Sequence, residues 1–243
     1  MSQLLDRVAI ITGASAGIGQ GIAAAYAAEG AKVVLAARNR EKLAAVAADI
    51  QTAGGTALVV STDVTNESEV ANLFQQAGEA FGRLDVLVNN AGVSVSAPPD
   101  ELSLEAWRKV LDVNLTGAFL CSREALRVMK PRRSGRILNI GSVSAKVPRF
   151  HSAAYAASKF GLEGLTRSLA LDAREFGIAV SILHPGNTES ALWEGREDVA
   201  RREGVMPAEE LARVAVLMAA LPPEINFLEG IVLPISMPFL GRG

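Results

Sequence analysis

Short runs of apolar, often β-branched residues alternate along the chain with longer stretches rich in Ala, Leu, Glu and Lys. Within the short runs, consecutive positions are apolar, which is typical of strands buried on both faces of a parallel sheet. The pattern predicts six strands, at about 8–11, 32–35, 57–60, 86–88, 137–140 and 179–183.

The longer stretches predict helices at about 17–30, 40–53, 66–81, 103–130, 152–176 and 207–221. Glycines stand where four of these helices should end, at Gly30, Gly54, Gly82 and Gly177. Strict alternation of strand and helix predicts an α/β fold with a doubly wound parallel sheet. Because no linker, repeat or low-complexity segment divides the chain, we expect one domain over 1–243.

Composition narrows the possible partners. The 243 residues include 24 basic and 26 acidic side chains, giving a net charge of −2, so we expect no nucleic-acid partner. The longest helical apolar stretch, Leu211–Leu221, is shorter than the about 20 residues that span a bilayer, so no membrane association is expected. One cysteine, Cys121, and the absence of a signal-like N-terminal segment favour a reducing, cytoplasmic location.

A glycine-rich turn follows the first predicted strand and precedes the first helix. Glycines let such a turn approach a pyrophosphate, whose charge is met by the amides of the helix N-terminus. A tight turn without a ligand is the alternative, but the position between strand and helix favours dinucleotide binding. The candidate cofactor-binding residues here are Gly13, Ser15, Ala16, Gly17, Ile18 and Gly19.

The end of the second strand bears on the choice of cofactor. An acidic residue there normally holds the ribose hydroxyls of NAD, but here Arg38 and Arg40 precede the first acid, Glu41. A guanidinium can bind a 2′-phosphate that a carboxylate would repel. We therefore expect NADP (NADPH) rather than NAD, with Arg38 as its contact; solvated loop cations are the alternative.

Two further segments follow predicted strands and should meet at the same sheet edge, where open α/β folds bind ligands. Asp63 and Val64 follow the third strand, and Asp63 is a candidate acceptor for the adenine amino group. Asn90, Ala91 and Gly92 follow the fourth, and the small residues Ala91 and Gly92 allow a cofactor to lie against the backbone. Turn formation by the polar residues is the alternative.

Three of the four candidate catalytic residues lie in the second half of the chain. Tyr155 and Lys159 are four positions apart in a predicted helix and so share a face. An ammonium beside a phenol should lower the phenol pKa, which suits a proton donor and acceptor. Ser142, after the fifth strand, is placed to donate to a carbonyl oxygen. Asn114, a poor helix former inside a predicted helix, is a candidate to hold a water that relays protons to Lys159.

Together these motifs resemble the short-chain dehydrogenase/reductase family over about 7–190. They occur in the family's order: Thr12-Gly13 with Gly17-Ile18-Gly19, Asn89-Asn90-Ala91-Gly92, Asn114, Ser142, Tyr155 with Lys159, and Pro185-Gly186. The resemblance implies a Rossmann fold with a seven-stranded parallel sheet and a nicotinamide cofactor. It also implies that the tyrosine exchanges the substrate proton, the serine polarises the carbonyl and the lysine binds the nicotinamide ribose.

The resemblance further implies cofactor contacts from Pro185, Gly186 and a following hydroxyl, with a short substrate loop at about 187–206. The family's usual threonine is replaced here by Ser190, with Thr188 two residues earlier. The C-terminal segment from Pro234 also departs from the family's usual ending. Many members are tetramers packed through the two long helices, so we expect a homotetramer with this tail across a subunit boundary.

The sequence thus predicts an NADP-dependent oxidoreductase that interconverts a carbonyl and a secondary alcohol. Mostly apolar side chains should line the substrate pocket, which favours a largely apolar small molecule: Val143, Ser144, Val147, Phe150, Leu192 and Trp193. Two alternatives stay open. One is reduction of a 3-oxoacyl group on acyl carrier protein, docked on the basic cluster of Lys130, Arg132, Arg133 and Arg136. The other is a non-catalytic NADP-sensing protein.

The two histidines are not assigned to the reaction. His151 is interpreted as a polar loop residue and His184 as a hydrogen-bonded residue at the end of a strand. They lie far apart in the chain with no acidic residues beside them, so no metal site is expected.

Overall fold

The computed structural model describes residues 2–189 and 197–239. Seven parallel strands form one sheet, and helices cover both of its faces. The strands are β1 (Val8–Thr12), β2 (Lys32–Ala37), β3 (Thr56–Ser61), β4 (Val86–Asn89), β5 (Gly135–Ile140), β6 (Ile178–Pro185) and β7 (Glu229–Val232). The helices are α1 (Gly17–Ala28), α2 (Arg40–Thr52), α3 (Glu67–Phe81), α4 (Leu104–Leu111), α5 (Gly117–Met129), α6 (Ala153–Ala173), α7 (Glu197–Glu203) and α8 (Ala208–Ala220).

The order of the strands across the sheet is β3-β2-β1-β4-β5-β6-β7. The chain therefore changes direction across the sheet between β1 and β4, which pair directly, with Ile10 opposite Leu87. Loops that leave neighbouring strands on opposite sides of such a point open a crevice at the carboxyl ends of the strands. The doubly wound sheet predicted from the sequence is confirmed.

The core has two layers because successive strand residues point to opposite faces of the sheet. Ile11 packs with Tyr26 and Leu211 on the side of α1 and α8. Its neighbour Ile10 packs with Leu73 and α5 residues on the other side. Burial on both faces explains why the central strands consist of uninterrupted apolar residues.

The structure departs from the predicted elements in three places. The predicted helix over 103–130 consists of α4, a π-helical turn at Asp112–Thr116, and α5. The seventh strand, β7, was implied by the family resemblance but not by the hydrophobic pattern, since it is four residues long with no fully buried residue. Helix α7 lies inside the segment that the sequence predicts as a substrate loop.

The C-terminal segment packs against its own chain near the end of β6. Met237 is buried, and its sulfur lies 3.4 Å from the backbone nitrogen of Asn187. The hydroxyl of Ser236 donates to the carbonyl oxygen of Glu203 at 3.0 Å. The described part of the tail, as far as Phe239, thus contacts Asn187 and Glu203 of its own chain, and 240–243 lie outside the described residues. Its expected place across a subunit boundary stays a prediction. In the part of the chain that the structure describes, no helix combines the length and apolar character needed to cross a membrane.

Candidate active site

A cavity of about 380 Å³ opens at the carboxyl ends of the strands, where the strand order changes direction. Most of the predicted cofactor-binding residues line it: Gly13, Ser15, Ala16, Gly17, Ile18, Arg38, Asp63, Val64, Asn90, Ala91, Gly92, Tyr155, Lys159 and Pro185. Residues that the sequence did not single out complete the lining: Ala37, Asn39, Thr62, Val93, Val113, Ile140 and Gly141.

The glycine-rich turn packs tightly against the loop that follows β4. Gly13 has φ +64°, and a Cβ on Gly19 would lie 2.3 Å from the carbonyl oxygen of Gly13. The side-chain nitrogen of Asn90 donates to the carbonyl oxygens of both Thr12 and Gly13 at 3.1 Å. Gly19 therefore does not line the cavity; it allows α1 to approach the turn closely.

The N-terminus of α1 faces the cavity without a side-chain cap. Asn39, Asn66 and Ser103 cap α2, α3 and α4 by accepting from backbone N–H groups, whereas α1 is preceded by Ala16. The first turn of α1 also carries no acidic residue. Free amides and the positive end of the helix dipole make this the natural place for a phosphate group.

Thr12, which the sequence analysis did not assign, joins the two loops of the crevice. Its hydroxyl lies 3.3 Å from the carbonyl oxygen of Val88 and accepts from the backbone nitrogens of Asn90 and Ala91 at 3.0 and 3.1 Å. The signal was present in the sequence, because a buried threonine at a strand end needs a hydrogen-bond partner.

Arg38 and Asp63 line the cavity just beyond the carboxyl ends of β2 and β3. Burial alone would raise the pKa of Asp63, but hydrogen bonds from Thr65 and the charge of Arg38 outweigh it and lower that pKa. The backbone nitrogen and hydroxyl of Thr65 donate to one Asp63 oxygen at 2.9 and 2.7 Å. Asp63 thus shapes a turn, as the alternative interpretation held, while still lining the cavity.

Tyr155 and Lys159 lie one turn apart on α6, and both face the cavity. The ammonium of Lys159 donates to the carbonyl oxygen of Ile140 at 2.8 Å and lies 5.6 Å from the centre of the Tyr155 ring. Burial lowers the pKa of Lys159 to about 8.

The pKa of Tyr155 differs from the prediction. Burial raises it, and a hydrogen bond with Ser142 opposes that rise only in part. The expectation that Lys159 lowers this pKa is wrong for this arrangement, because loss of hydration dominates and the ammonium donates to Ile140.

Ser142 lies just behind the cavity wall, at the start of a 3₁₀ turn over Val143–Ala145. Its side-chain oxygen accepts from the backbone nitrogen of Ser144 at 3.1 Å, and the hydroxyl lies close enough to Tyr155 to oppose the rise in its pKa. A hydroxyl group can accept and donate at the same time, so Ser142 can still donate its own hydrogen to another group.

Asn114 lies in the π-helical turn and is buried. Its side chain accepts from the backbone nitrogen of Val93 at 2.8 Å and donates to the carbonyl oxygen of Val93 and the hydroxyl of Ser158 at 2.9 and 3.0 Å. The side chain thus ties the loop after β4 to α6, and the predicted water relay stays a prediction.

Several predicted residues lie elsewhere. Gly186 and Thr188 do not line the cavity: the buried hydroxyl of Thr188 donates to the carbonyl oxygen of Gly186 at 3.2 Å. Val143 and Ser144 are buried behind the wall, and Phe150 is 94% exposed. Ser190, Leu192 and Trp193 lie outside the described residues.

The side chains of the basic cluster make contacts with other parts of the same chain. Arg136 is buried and donates to the carbonyl oxygens of Leu221, Pro222 and Ile225. Lys130 lies over the Phe176 ring at 4.4 Å. The other two members also bond inward, Arg132 to Leu84 and Arg133 to Glu175. Of the four, only Arg136 is buried by these contacts; Arg132 and Arg133 stay exposed.

With this geometry in place, comparison with known proteins identifies the family. The family model described as short chain dehydrogenase matches residues 7–200. The chain belongs to the short-chain dehydrogenase family. It is 39% identical over 238 residues to cis-4-hydroxycyclohexanecarboxylate dehydrogenase of Sinomonas cyclohexanicum, covering 95% of each chain. It is 34% identical to an uncharacterized oxidoreductase of Staphylococcus aureus, covering 97% of this chain and all of the relative.

A solved structure supports the same family assignment. A short-chain type dehydrogenase/reductase from Mycobacterium marinum superposes with a TM-score of 0.89 at 31% identity, covering 94% of each chain. Membership of the short-chain dehydrogenase family makes this protein an oxidoreductase that acts on CH–OH groups with a nicotinamide cofactor. The glycine turn and the uncapped α1 fit the pyrophosphate of such a cofactor.

The close approach of α1 to the glycine turn is testable by Gly19→Ala. The added Cβ would lie 2.3 Å from the Gly13 carbonyl oxygen and 2.4 Å from the Asn90 amide nitrogen. We expect a loss of about 1–3 kcal/mol in the free energy of unfolding in urea, and weaker nicotinamide cofactor binding by fluorescence titration.

Gly78→Ala is the matched control, because its Cβ would meet nothing within 4 Å inside α3. Alanine should stabilise that helix by about 0.5–1 kcal/mol. Equal stability and cofactor affinity in Gly19→Ala and the unmodified protein would contradict the account of this turn.

Proposed function

We propose that this short-chain dehydrogenase transfers a hydride between NADP(H) and a substrate whose carbonyl and secondary alcohol forms it interconverts. The observation that carries the proposal is a single cavity whose wall holds Tyr155, Lys159 and the glycine turn, with Ser142 next to Tyr155. A protein that only senses the cofactor would need the glycine turn but not this proton-transfer group.

The chemistry follows from these side chains. The bound cofactor supplies the hydride that adds to the carbonyl carbon. Ser142 donates its hydroxyl hydrogen to the carbonyl oxygen, and Tyr155 gives its proton to that oxygen as the C=O electrons move onto it. Burial keeps the Tyr155 phenol protonated, so it is ready to act as the acid in reduction. Lys159, which lies beside the ring and lines the same cavity, is assigned to the nicotinamide ribose rather than to the phenol pKa.

The substrate class draws on the relative from Sinomonas cyclohexanicum. Its name specifies a secondary alcohol on a cyclohexane ring that bears a carboxylate, and 39% identity over 95% of both chains favours a related ring alcohol or ketone here. This is compatible with the largely apolar small molecule predicted from the sequence. Reduction of a 3-oxoacyl carrier-protein thioester is the weaker candidate, since Arg136 of the basic cluster is buried and bonded within the fold, which leaves Arg132 and Arg133 as its exposed cations.

We also propose a cytoplasmic homotetramer. Apolar side chains stay exposed on the helices that flank the site: Leu104, Phe119, Phe160 and Leu171. Burial against neighbouring copies would remove this surface from water, and closed two-fold symmetry is the usual arrangement for such contacts.

The preference for NADP rests on Arg38, which lines the cavity at the end of β2 where an acid would hold NAD. A charge-assisted phosphate contact should favour NADPH over NADH by about 1–3 kcal/mol, or roughly 5- to 150-fold in Kd. Arg38→Gln should abolish most of this preference, as measured by fluorescence titration of both cofactors. Arg40→Gln is the control, since Arg40 is exposed and does not line the cavity. Equal affinity of the unmodified protein for the two cofactors would refute the assignment.

The assignment of Tyr155 is tested by Tyr155→Phe, which removes the proton donor and keeps the ring. We expect turnover to fall at least a hundredfold with the Kd for NADPH nearly unchanged. Lys159→Ala should lower turnover and also weaken the binding of NADPH. Tyr26→Phe is the matched control, because Tyr26 is the other tyrosine and its hydroxyl bonds the carbonyl oxygen of Ala215 in the core. More than a tenth of the activity surviving in Tyr155→Phe would show that another group donates the proton.

A further inference from the structure

A buried histidine lies directly behind the serine of the proposed active site. His184, on β6, is fully enclosed. Its Nδ1 lies 3.2 Å from the backbone nitrogen of Ser142 and 2.9 Å from the backbone oxygen of the same residue. The ring also packs so closely on Gly141 that a Cβ there would lie 2.5 Å from Nδ1. Because Gly141 lines the cavity, the imidazole supports the cavity wall from behind.

Two carboxylates face the other edge of the ring. Nε2 of His184 lies 3.6 Å from Glu229 Oε1 on β7 and 3.9 Å from Glu163 Oε2 on α6. Among the described residues, neither this Nε2 nor Glu163 Oε2 has a hydrogen-bond partner, and both atoms are buried. The expectation that His184 has no acidic neighbours is therefore wrong, because the fold brings both acids from distant positions in the chain.

Two cations balance these acids. Lys146 Nζ lies 2.7 Å from Glu163 Oε1 and 2.5 Å from Glu229 Oε1. Arg167 lies 2.7 Å from Glu163 and 3.0 Å from Glu229. The two carboxylates and the histidine have the composition of a metal site, but a divalent ion would have to displace the Lys146 ammonium. The arrangement favours a charge-balanced network.

The network selects one tautomer of the ring. Burial lowers the pKa of His184, so the imidazole is neutral near pH 7 and carries one ring proton. A proton on Nε2 points towards the carboxylates and leaves Nδ1 free to accept the N–H of Ser142. A proton on Nδ1 would donate to the backbone oxygen of Ser142 at 2.9 Å, but it would set the lone pair of Nε2 against two negative charges. The two carboxylates therefore favour the tautomer in which Nδ1 accepts from the N–H of Ser142.

The same network holds the far end of the serine turn. The backbone nitrogen of Lys146 donates to the carbonyl oxygen of Val143 at 2.9 Å, which closes the 3₁₀ turn that begins after Ser142. The turn is thus fixed at its start by His184 and at its end by the Lys146 side chain. Between them, the Ser142 hydroxyl meets Tyr155.

We propose that His184 is a positioning residue that orients Ser142 towards Tyr155, with Glu163, Glu229 and Lys146 fixing the ring's tautomer. The inference rests on the proposed function for the role of Ser142. It assigns to His184 no contact with substrate or cofactor.

The tautomer is measured without turnover. In protein labelled with ¹⁵N at histidine, long-range proton–nitrogen correlation should show the His184 proton on Nε2, and the resonances are assigned with His151→Gln, since the chain has two histidines. A proton on Nδ1 would overturn the proposal. If the proton is on Nε2 but no ketone is reduced, the proposed function fails while the placement of the ring stands.

The kinetic test compares His184→Leu with His184→Asn. Leucine removes the acceptor for the Ser142 N–H, so kcat should fall roughly 10- to 100-fold with the Kd for NADPH unchanged. Asparagine, whose side-chain oxygen lies near the position of Nδ1, should restore most of the loss. In a Ser142→Ala background, His184→Leu should add no further loss. Equal losses in Leu and Asn variants, or an additive loss with Ser142→Ala, would mean a purely structural role.

Lys146→Met keeps the proposal testable if His184→Leu does not fold. The groups facing the ring are Glu163, Glu229, Lys146 and Arg167; removing the Lys146 charge raises the pKa of His184. Below that raised pKa the ring is doubly protonated and Nδ1 no longer accepts, so the acid limb of the kcat profile should move to higher pH. An acid limb at the same pH in Lys146→Met and the wild type would contradict the proposal. A separate experiment would also contradict it if EDTA abolished the activity of the wild-type protein and zinc restored it, because the cluster would then be a metal site.

Discussion

The packing of the β1–α1 turn against the loop after β4 is the contact on which the site depends. Asn90 donates to two carbonyl oxygens of the turn, and Thr12 accepts two N–H groups of that loop in return. Since β1 and β4 are the strands between which the chain changes direction, this contact sets the floor of the crevice. The absence of a side chain at Gly19 allows it.

From that floor, each further group is positioned by a strand end or by the helix behind it. Lys159 reaches the carbonyl of Ile140 at the end of β5, and Asn114 joins the loop after β4 to α6. Ser142 is held between Tyr155 in front and His184 behind. Most polar side chains here are hydrogen-bonded to backbone groups, which fixes their orientation towards the cavity.

The fold and the cofactor cavity were largely predictable from the sequence, because strands buried on both faces and a glycine turn leave local signals. The strands β1 to β6 and most of the cavity lining follow from those signals. The raised pKa of Tyr155 could not be predicted in this way, since it depends on burial by residues far along the chain. The same holds for His184, whose acidic neighbours come from α6 and β7, and for the inward-bonded Arg136.

The central claim, hydride transfer between NADP(H) and a carbonyl at this site, is tested most directly by isotope transfer. NADPH deuterated at the transferred position would be incubated with 4-oxocyclohexanecarboxylate and a panel of simple ring and open-chain ketones, and the products analysed by mass spectrometry. We expect one deuterium on the carbinol carbon of at least one product. A wild-type protein that binds NADPH yet forms no deuterated alcohol from any ketone of the panel would contradict the account.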